Sequence, residues 1–250
     1  MAENKNTSTV KKDPRAGNAA NVADYAAYRQ DFSWQRIAAE LAGDGNFNMA
    51  AIAVDRHVIA GKGNVTAIRW LGIEGGTVDI SYAELQRQTN RFANALTSLG
   101  IKRGDKVFAL SGRLPGLYVS ALGTLRHGAV FSSLFSAFGP DPIATRMTIG
   151  KAKVLVTTAD LYETKVAGIR DKLPDLKHVI LLREGDASTA LSDRQIASTI
   201  DFDDLLASQS DSYVTQATPA DTPALLHFTS GTTGKPKGAQ HVHGAIVAHY

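Results

Sequence analysis

From Val65 onward the chain alternates short apolar runs with longer stretches in which apolar positions recur every three or four residues. The short runs are Val65 to Trp70, Val78 to Ile80, Lys106 to Leu110, Ala129 to Leu134, Lys153 to Thr157, His178 to Leu182 and Pro223 to Phe228. Their length and lack of a polar face predict strands. Between them, Leu85, Thr89, Phe92 and Leu96 recur at helical spacing, opened by Ser81 with Glu84 as a capping box and closed by Gly100 after Leu99. Pro115 to His127, with Leu117, Ala121 and Leu125 on one face, predicts a second helix. Asp141 to Ile149 (started by Pro142), Ala159 to Leu173 and the short Asp201 to Ala207 predict further ones. This is the strand–helix–strand rhythm of an α/β domain. Strands that are apolar throughout, rather than alternating, imply a mostly parallel sheet covered on both faces by layers of helix.

The ends of the chain read differently. Residues 1–21 are polar, with Lys11, Lys12 and Arg15 around Pro14, and predict a disordered lead. Residues 22–250 are then one incomplete α/β domain. Its first part carries Tyr25, Tyr28, Phe32, Trp34 and Ile37, expected to anchor the lead onto the domain, and Met49 to Ile59, expected to be a helix ending near Gly61. Glu184 to Ser198 interrupts the rhythm with charged and hydroxyl residues and reads as an exposed excursion.

Composition excludes more than it assigns. The 250 residues carry 27 basic and 24 acidic side chains, for a net charge of +3, and the signs are not strongly segregated outside the lead. Nothing in that balance calls for nucleic acid. With no cysteine there is no disulfide framework and no thiolate metal site. No apolar stretch approaches the length of a membrane span, and the amino terminus lacks the apolar segment of a secretory signal, so a cytoplasmic protein without a membrane partner is expected.

The chemistry is concentrated in the run from His227 to Gly238, which contains Phe228, Thr229, Ser230, Gly231, Thr232, Thr233, Gly234, Lys235, Pro236 and Lys237. Small, hydroxyl-bearing and basic residues leave many N–H groups, hydroxyls and two ammonium groups free to face a polyanion, the composition of a phosphate-binding loop. It is not a Walker loop: its spacer between Gly231 and the Gly234–Lys235 pair is shorter, and Pro236, which has no N–H, stands where that motif needs Ser or Thr. Gly231, Gly234 and Gly238 read as positions of unusual backbone or close approach to phosphate. A glycine–threonine surface turn is the plain alternative, against which stands the apolar run leading into the loop. No glycine fingerprint follows the first strand, so a dinucleotide-binding reading has little support.

Phe228 to Gly238 resembles the signature of the acyl-adenylate-forming ligases: an aromatic residue, Thr-Ser-Gly-Thr-Thr-Gly, a variable residue, then Pro-Lys-Gly. Asp55 to His57, Asp79 to Leu85, Arg91 to Asn94, Gly104 to Val107 and Gly128 through Phe138 resemble successive pieces of the acetate–CoA ligases, and so do Leu225 to Phe228 and His241 to His243. The likeness covers about residues 22–250. Family members are longer, so the chain, which ends in an expected helix after the loop, resembles an amino-terminal portion that would be inactive by itself.

The resemblance implies activation of a short carboxylic acid by ATP to an acyl-adenylate, with transfer of the acyl group to CoA and magnesium on the nucleotide. It implies that Thr229, Ser230, Gly231, Thr232, Thr233, Gly234, Lys235, Lys237 and Gly238 bind ATP, that Thr229 and Lys237 serve catalysis, and that His243 lines the acyl substrate. No magnesium ligand can be named in this segment. His241 and His243 fall in an expected turn and make only a weak zinc motif. Arg126 and Arg146 read as solvated helix residues, with CoA phosphates as the alternative partner. Two other functions stay open: a ligase of longer acyl or aryl acids, and a non-catalytic nucleotide- or phosphate-binding interaction module.

Overall fold

The computed structural model describes residues 24–73, 75–183, 196–230 and 235–250. Helices α1 (Tyr25–Asp31) and α2 (Trp34–Ala42) come first, capped by Asp24 and by Ser33. A helical run over residues 49–62 widens into π turns at Ala51–Asp55 and Val58–Lys62. Strands β1 (Thr66–Leu71) and β2 (Thr77–Ser81) follow, then α3 (Tyr82–Ser98), β3 (Lys106–Leu110), α4 (Pro115–His127), β4 (Val130–Ser133), α5 (Pro140–Gly150) and β5 (Ala152–Thr158). Helix α6 (Ala159–Lys165), a 3₁₀ helix (Ala167–Lys172), β6 (His178–Leu182), β7 (Ile200–Asp201), α7 (Phe202–Ala207), β8 (Pro223–Thr229), β9 (Lys237–Val242) and a second 3₁₀ helix (His243–His249) complete the order.

Seven strands form one sheet in the order β7-β6-β5-β3-β4-β8-β9, parallel throughout except that β9 runs antiparallel to β8. Alternation along each central strand sends side chains to opposite faces. Val107, Ala109, Val154, Val156, Ile180 and Leu182 join Phe92 and Leu96 of α3, Val119 of α4 and Phe202 of α7 on one face. Phe108, Leu110, Leu155, Val179 and Leu181 join Ile143 and Met147 of α5, Tyr162 of α6 and Ile169 on the other. Both faces are therefore covered, as uninterrupted apolar strands require. Helices α3 and α4 approach so closely that a Cβ on Gly123 would lie 2.8 Å from Phe92 Cβ, which leaves glycine as the residue that fits there.

Several expectations are corrected. The first two strands form a separate antiparallel hairpin, because each has a largely exposed side and neither supplies a second apolar face for the main sheet. Ser81 Oγ accepts from the Glu84 amide at 3.2 Å, but the Glu84 carboxylate turns to Arg87 and Gln88, so the capping box is half formed. Ala159 to Leu173 is α6 followed by a 3₁₀ turn rather than one helix. Among the described residues Tyr25, Tyr28, Phe32 and Trp34 are exposed rather than packed on the domain, with Phe32 6.1 Å from the Tyr28 ring and edge to face with Trp34 at 4.7 Å. Ile37, Leu41 and Ala42 do the packing, against Ile52, Ile246 and Val247. Residues 1–21 and most of the expected excursion from Glu184 lie outside the described residues.

Arg126 is neither solvated nor turned toward an external anion. It is 2% exposed, and its Nη1 and Nη2 donate to the two Asp55 carboxylate oxygens at 2.8 and 2.7 Å, with Nη1 also reaching Thr215 Oγ1 at 3.1 Å. A guanidinium buried in this way needs such pairing. It ties α4 to the π-helical run and to the segment that leads into β8.

Candidate functional site: the β8–β9 hairpin

Strand β8 is parallel to β4, so its last residue, Thr229, sits at the carboxyl edge of the sheet, where α/β folds place their ligands. The chain returns as β9, a strand that precedes the helix expected at the chain's end, which is the 3₁₀ helix His243–His249. The two strands that flank the loop are thus antiparallel partners. Residues Gly231, Thr232, Thr233 and Gly234 lie outside the described residues; Thr229, Ser230, Lys235, Lys237 and Gly238 are described and exposed.

Register decides which of these act together. Thr229 lies directly opposite Lys237, His227 opposite Ala239 and Leu225 opposite His241. Cross-strand partners project from the same face, so Thr229, Lys237, His227 and His241 share one side of the hairpin. The His227 and His241 rings meet edge to face at 5.4 Å. Burial, and then the neighbouring His241, depress the His227 pKa, which disfavours a charge on His227 beside Lys237. The opposite side is apolar: Leu226 and Phe228 pack into the core, with the Phe228 ring 6.2 Å from that of Phe108. A Cβ on Gly238 would come within 3.1 Å of Leu226 Cδ1, so glycine lets β9 lie close over β8.

His243 closes the hairpin from below. It is fully buried, its amide donates to the Thr222 carbonyl at 2.8 Å, and its Nδ1 accepts from the Met49 amide at 3.0 Å. With Nδ1 accepting, the proton resides on Nε2, which has no partner among the described residues. Burial, reinforced by the charge of Arg103, pushes its pKa down to about 4, so the ring is neutral. Beside it Asn48, also fully buried, accepts from the Ala50 and Ala51 amides and donates to the Leu125 carbonyl at 2.9 Å. This brace, in which residues 46–51 hold both α4 and the end of β9, escaped sequence reasoning. An Asn ahead of an apolar helical run is a recognisable cap, but its reach to Leu125 is a tertiary event.

The other sequence candidates lie elsewhere. His241 is on a strand, not in a turn, and its neighbour is His227 rather than His243. Arg146 lies on α5, its guanidinium 4.3 Å from the Phe138 ring centroid and one N–H on the Pro142 carbonyl. It stacks on the segment that leaves β4.

With this geometry in place, comparison with known proteins gives a consistent result. The model of the family described as AMP-binding enzyme matches residues 55–250. The chain belongs to that family. Among curated members, the acetyl-coenzyme A synthetase of Streptomyces avermitilis is 34% identical over 212 residues, which cover 82% of this chain and 32% of that protein. The acetyl-coenzyme A synthetase of Bacillus subtilis is 32% identical over 233 residues, covering 92% of this chain and 39% of that one. In three dimensions the chain resembles the Brucella canis acyl-CoA synthetase with a TM-score of 0.71 and 26% identity, over 90% of this chain and 39% of the other. This AMP-binding chain therefore spans about a third of the length of the curated relatives it matches. Among its described residues no helix is long and apolar enough to cross a membrane.

Proposed function

We propose that the β8–β9 hairpin holds the terminal phosphates of ATP and that the chain is the amino-terminal portion of a cytoplasmic, AMP-forming ligase of acetate or another short carboxylic acid with CoA. The observation that carries this reading is the pairing of Thr229 with Lys237 on one exposed face at the carboxyl edge of the sheet. In the reaction a carboxylate oxygen forms a bond to the α-phosphorus while the bond from that phosphorus to pyrophosphate breaks. The CoA thiolate then attacks the acyl carbon, and AMP leaves with the electron pair. Both partners of the first step are anions, so the chain's contribution is to fix donors against charge that would otherwise keep them apart.

Lys237 supplies a point charge, and Thr229 and Ser230 supply hydroxyls, to the phosphate oxygens. Lys235 adds a second ammonium at the hairpin tip. Magnesium supplies neutralisation of the phosphates and of the departing pyrophosphate, and the exposed hydroxyls of Thr229 and Ser230 are hard oxygen donors compatible with it. His243 fixes the end of β9 against Met49; a direct role toward the acid would use its Nε2–H, the ring donor left without a partner among the described residues.

Calorimetric titration of this chain with MgATP tests the binding step. Removing the Lys237 ammonium in Lys237→Ala is expected to weaken binding by roughly tenfold, the effect of losing one charge-assisted contact. Unchanged affinity would reject the hairpin as the phosphate site. Acyl preference is tested on the complete reading frame carrying this segment, by pyrophosphate release with acetate, propionate and butyrate. Activity confined to a longer or aromatic acid would refute the short-acid assignment, and nucleotide binding without any pyrophosphate release would favour a non-catalytic binding module.

A further inference from the structure

The amino-terminal edge of the same sheet, opposite the hairpin loop, carries a cavity of about 580 Å³ whose walls include Asn94, Lys102, Arg103, His127, Tyr213 and Gln216. Cavities of ~300–1,000 Å³ are those that hold small organic ligands. Its walls are pinned in place. Asn94 Nδ2 donates to the Ser210 and Ser212 carbonyls at 2.8 and 2.9 Å, which fixes the segment carrying Tyr213. The Arg103 stem lies against Gly128, where an added Cβ would meet Arg103 Cγ, Nε and Cζ at 3.3 Å, and Arg103 Nη1 donates to Gln216 Oε1 at 2.9 Å.

The charges here are one-sided. Neither Lys102 nor Arg103 forms an ion pair among the described residues; the neighbouring carboxylate, Asp105, is taken by Lys153 Nζ at 2.7 Å and by the Lys102 amide at 2.8 Å. Arg103 has spent two of its five N–H donors on Gln216 and the Ala217 carbonyl, both neutral. His127, only 7% exposed, lines the cavity's inner wall, and its Nδ1 has no partner among the described residues. Val214, which also lines the cavity, is an apolar side chain left 85% exposed.

We propose that this cavity is a second ligand site, separate from the nucleotide hairpin, for a phosphomonoester with a planar or apolar body. The phosphate sits on Arg103 and Lys102, and the body lies against Tyr213 and Val214. The reading does not depend on the activity assigned to the hairpin, because no residue is shared between the two.

Phenyl phosphate, inorganic phosphate and phenol are the probes, followed by amide chemical-shift mapping on the intact chain. Saturable binding of phenyl phosphate is expected, with shifts over residues 94–103, 127 and 212–216. Inorganic phosphate and phenol should each bind at least ~10-fold more weakly, since each keeps half of the contacts. Arg103→Gln should weaken phenyl phosphate by about tenfold and Lys102→Gln by a smaller factor, whereas Lys237→Ala should leave it unchanged. Lys102→Gln guards against a folding defect in the first variant, because the Lys102 side chain has no hydrogen bond or ion pair among the described residues. The proposal is overturned by shifts confined to residues 226–242, by absence of saturable binding, or by both variants retaining the parental affinity. Failure of MgATP to bind the hairpin, with phenyl phosphate still bound here, would sink the ligase reading and leave this one standing.

Discussion

Strand β3 and the β8–β9 hairpin belong to one sheet but do opposite work. From Val107 to Leu110 every side chain of β3 is fully buried, alternately feeding the two cores. In the hairpin the same alternation gives one apolar side, Leu226 and Phe228, and one exposed side bearing Thr229, Lys237, His227 and His241. Period-two geometry is identical in both. What differs is whether a helix covers the second face. Where one does, the strand becomes scaffold; where none does, polar and charged groups stay in water without desolvation and remain free for a ligand.

That contrast predicts a steep gradient of mutational effects. Phe108→Ala, at the centre, should cost about 3–5 kcal/mol, read as a lower urea midpoint at unchanged slope. A cost below ~1 kcal/mol would mean that the two-sided core is not what holds β3. Next comes the brace on α4: Arg126→Ala leaves the mostly buried Asp55 carboxylate without its partner and should cost about 3 kcal/mol. The double variant Arg126→Met with Asp55→Leu should recover much of that loss, and failure to recover it would show that geometry rather than unpaired charge is at fault.

The hairpin's underside gives the third test. The buried His243 ring refuses a proton down to about pH 4, while the unfolded ring takes one near 6.5. The folded pKa is depressed, so this contribution is complete above 6.5 and is lost as pH falls from there to about 4. The effect is on the order of 3 kcal/mol across the window, measured by urea unfolding at several pH values. His127 and His227, whose pKa values are also lowered by burial, act in the same direction. Comparison with His243→Gln therefore isolates the term: the variant should show a distinctly shallower loss on acidification, and an unchanged slope would remove His243 from the account. Smallest in stability is Lys237→Ala on the open face, expected within about 0.5 kcal/mol of the parent by unfolding while MgATP affinity drops. A large stability loss there would erase the distinction between scaffold and site.

Much of the scaffold was legible because local rules and tertiary packing agree there. Lys106–Leu110, Pro115–His127 and His178–Leu182 fall where the apolar pattern predicts them. The misreadings share a cause. The aromatic stretch from Tyr25 to Trp34 looked like an anchor because large apolar side chains are usually buried, but neighbours are supplied by folding, and among the described residues these four rings stay exposed. Arg126 looked solvated because a cation on a helix usually is; Asp55, far away in sequence, made its burial tolerable. The segment after the loop lacks the regular spacing of a strand, and only pairing with β8 makes it one.

The order of types along the chain determined by itself that this protein has a mostly parallel, helix-covered sheet and the glycine-threonine-lysine segment proposed as its phosphate site, since both are read from side-chain periodicity and composition. Tertiary structure alone decided that Thr229 and Lys237 face the same way, that His243 is neutral and walled in by Met49, and that Lys102, Arg103 and His127 converge on a cavity at the far edge. Those facts depend on register and on contacts between residues distant in sequence, and no local propensity encodes either.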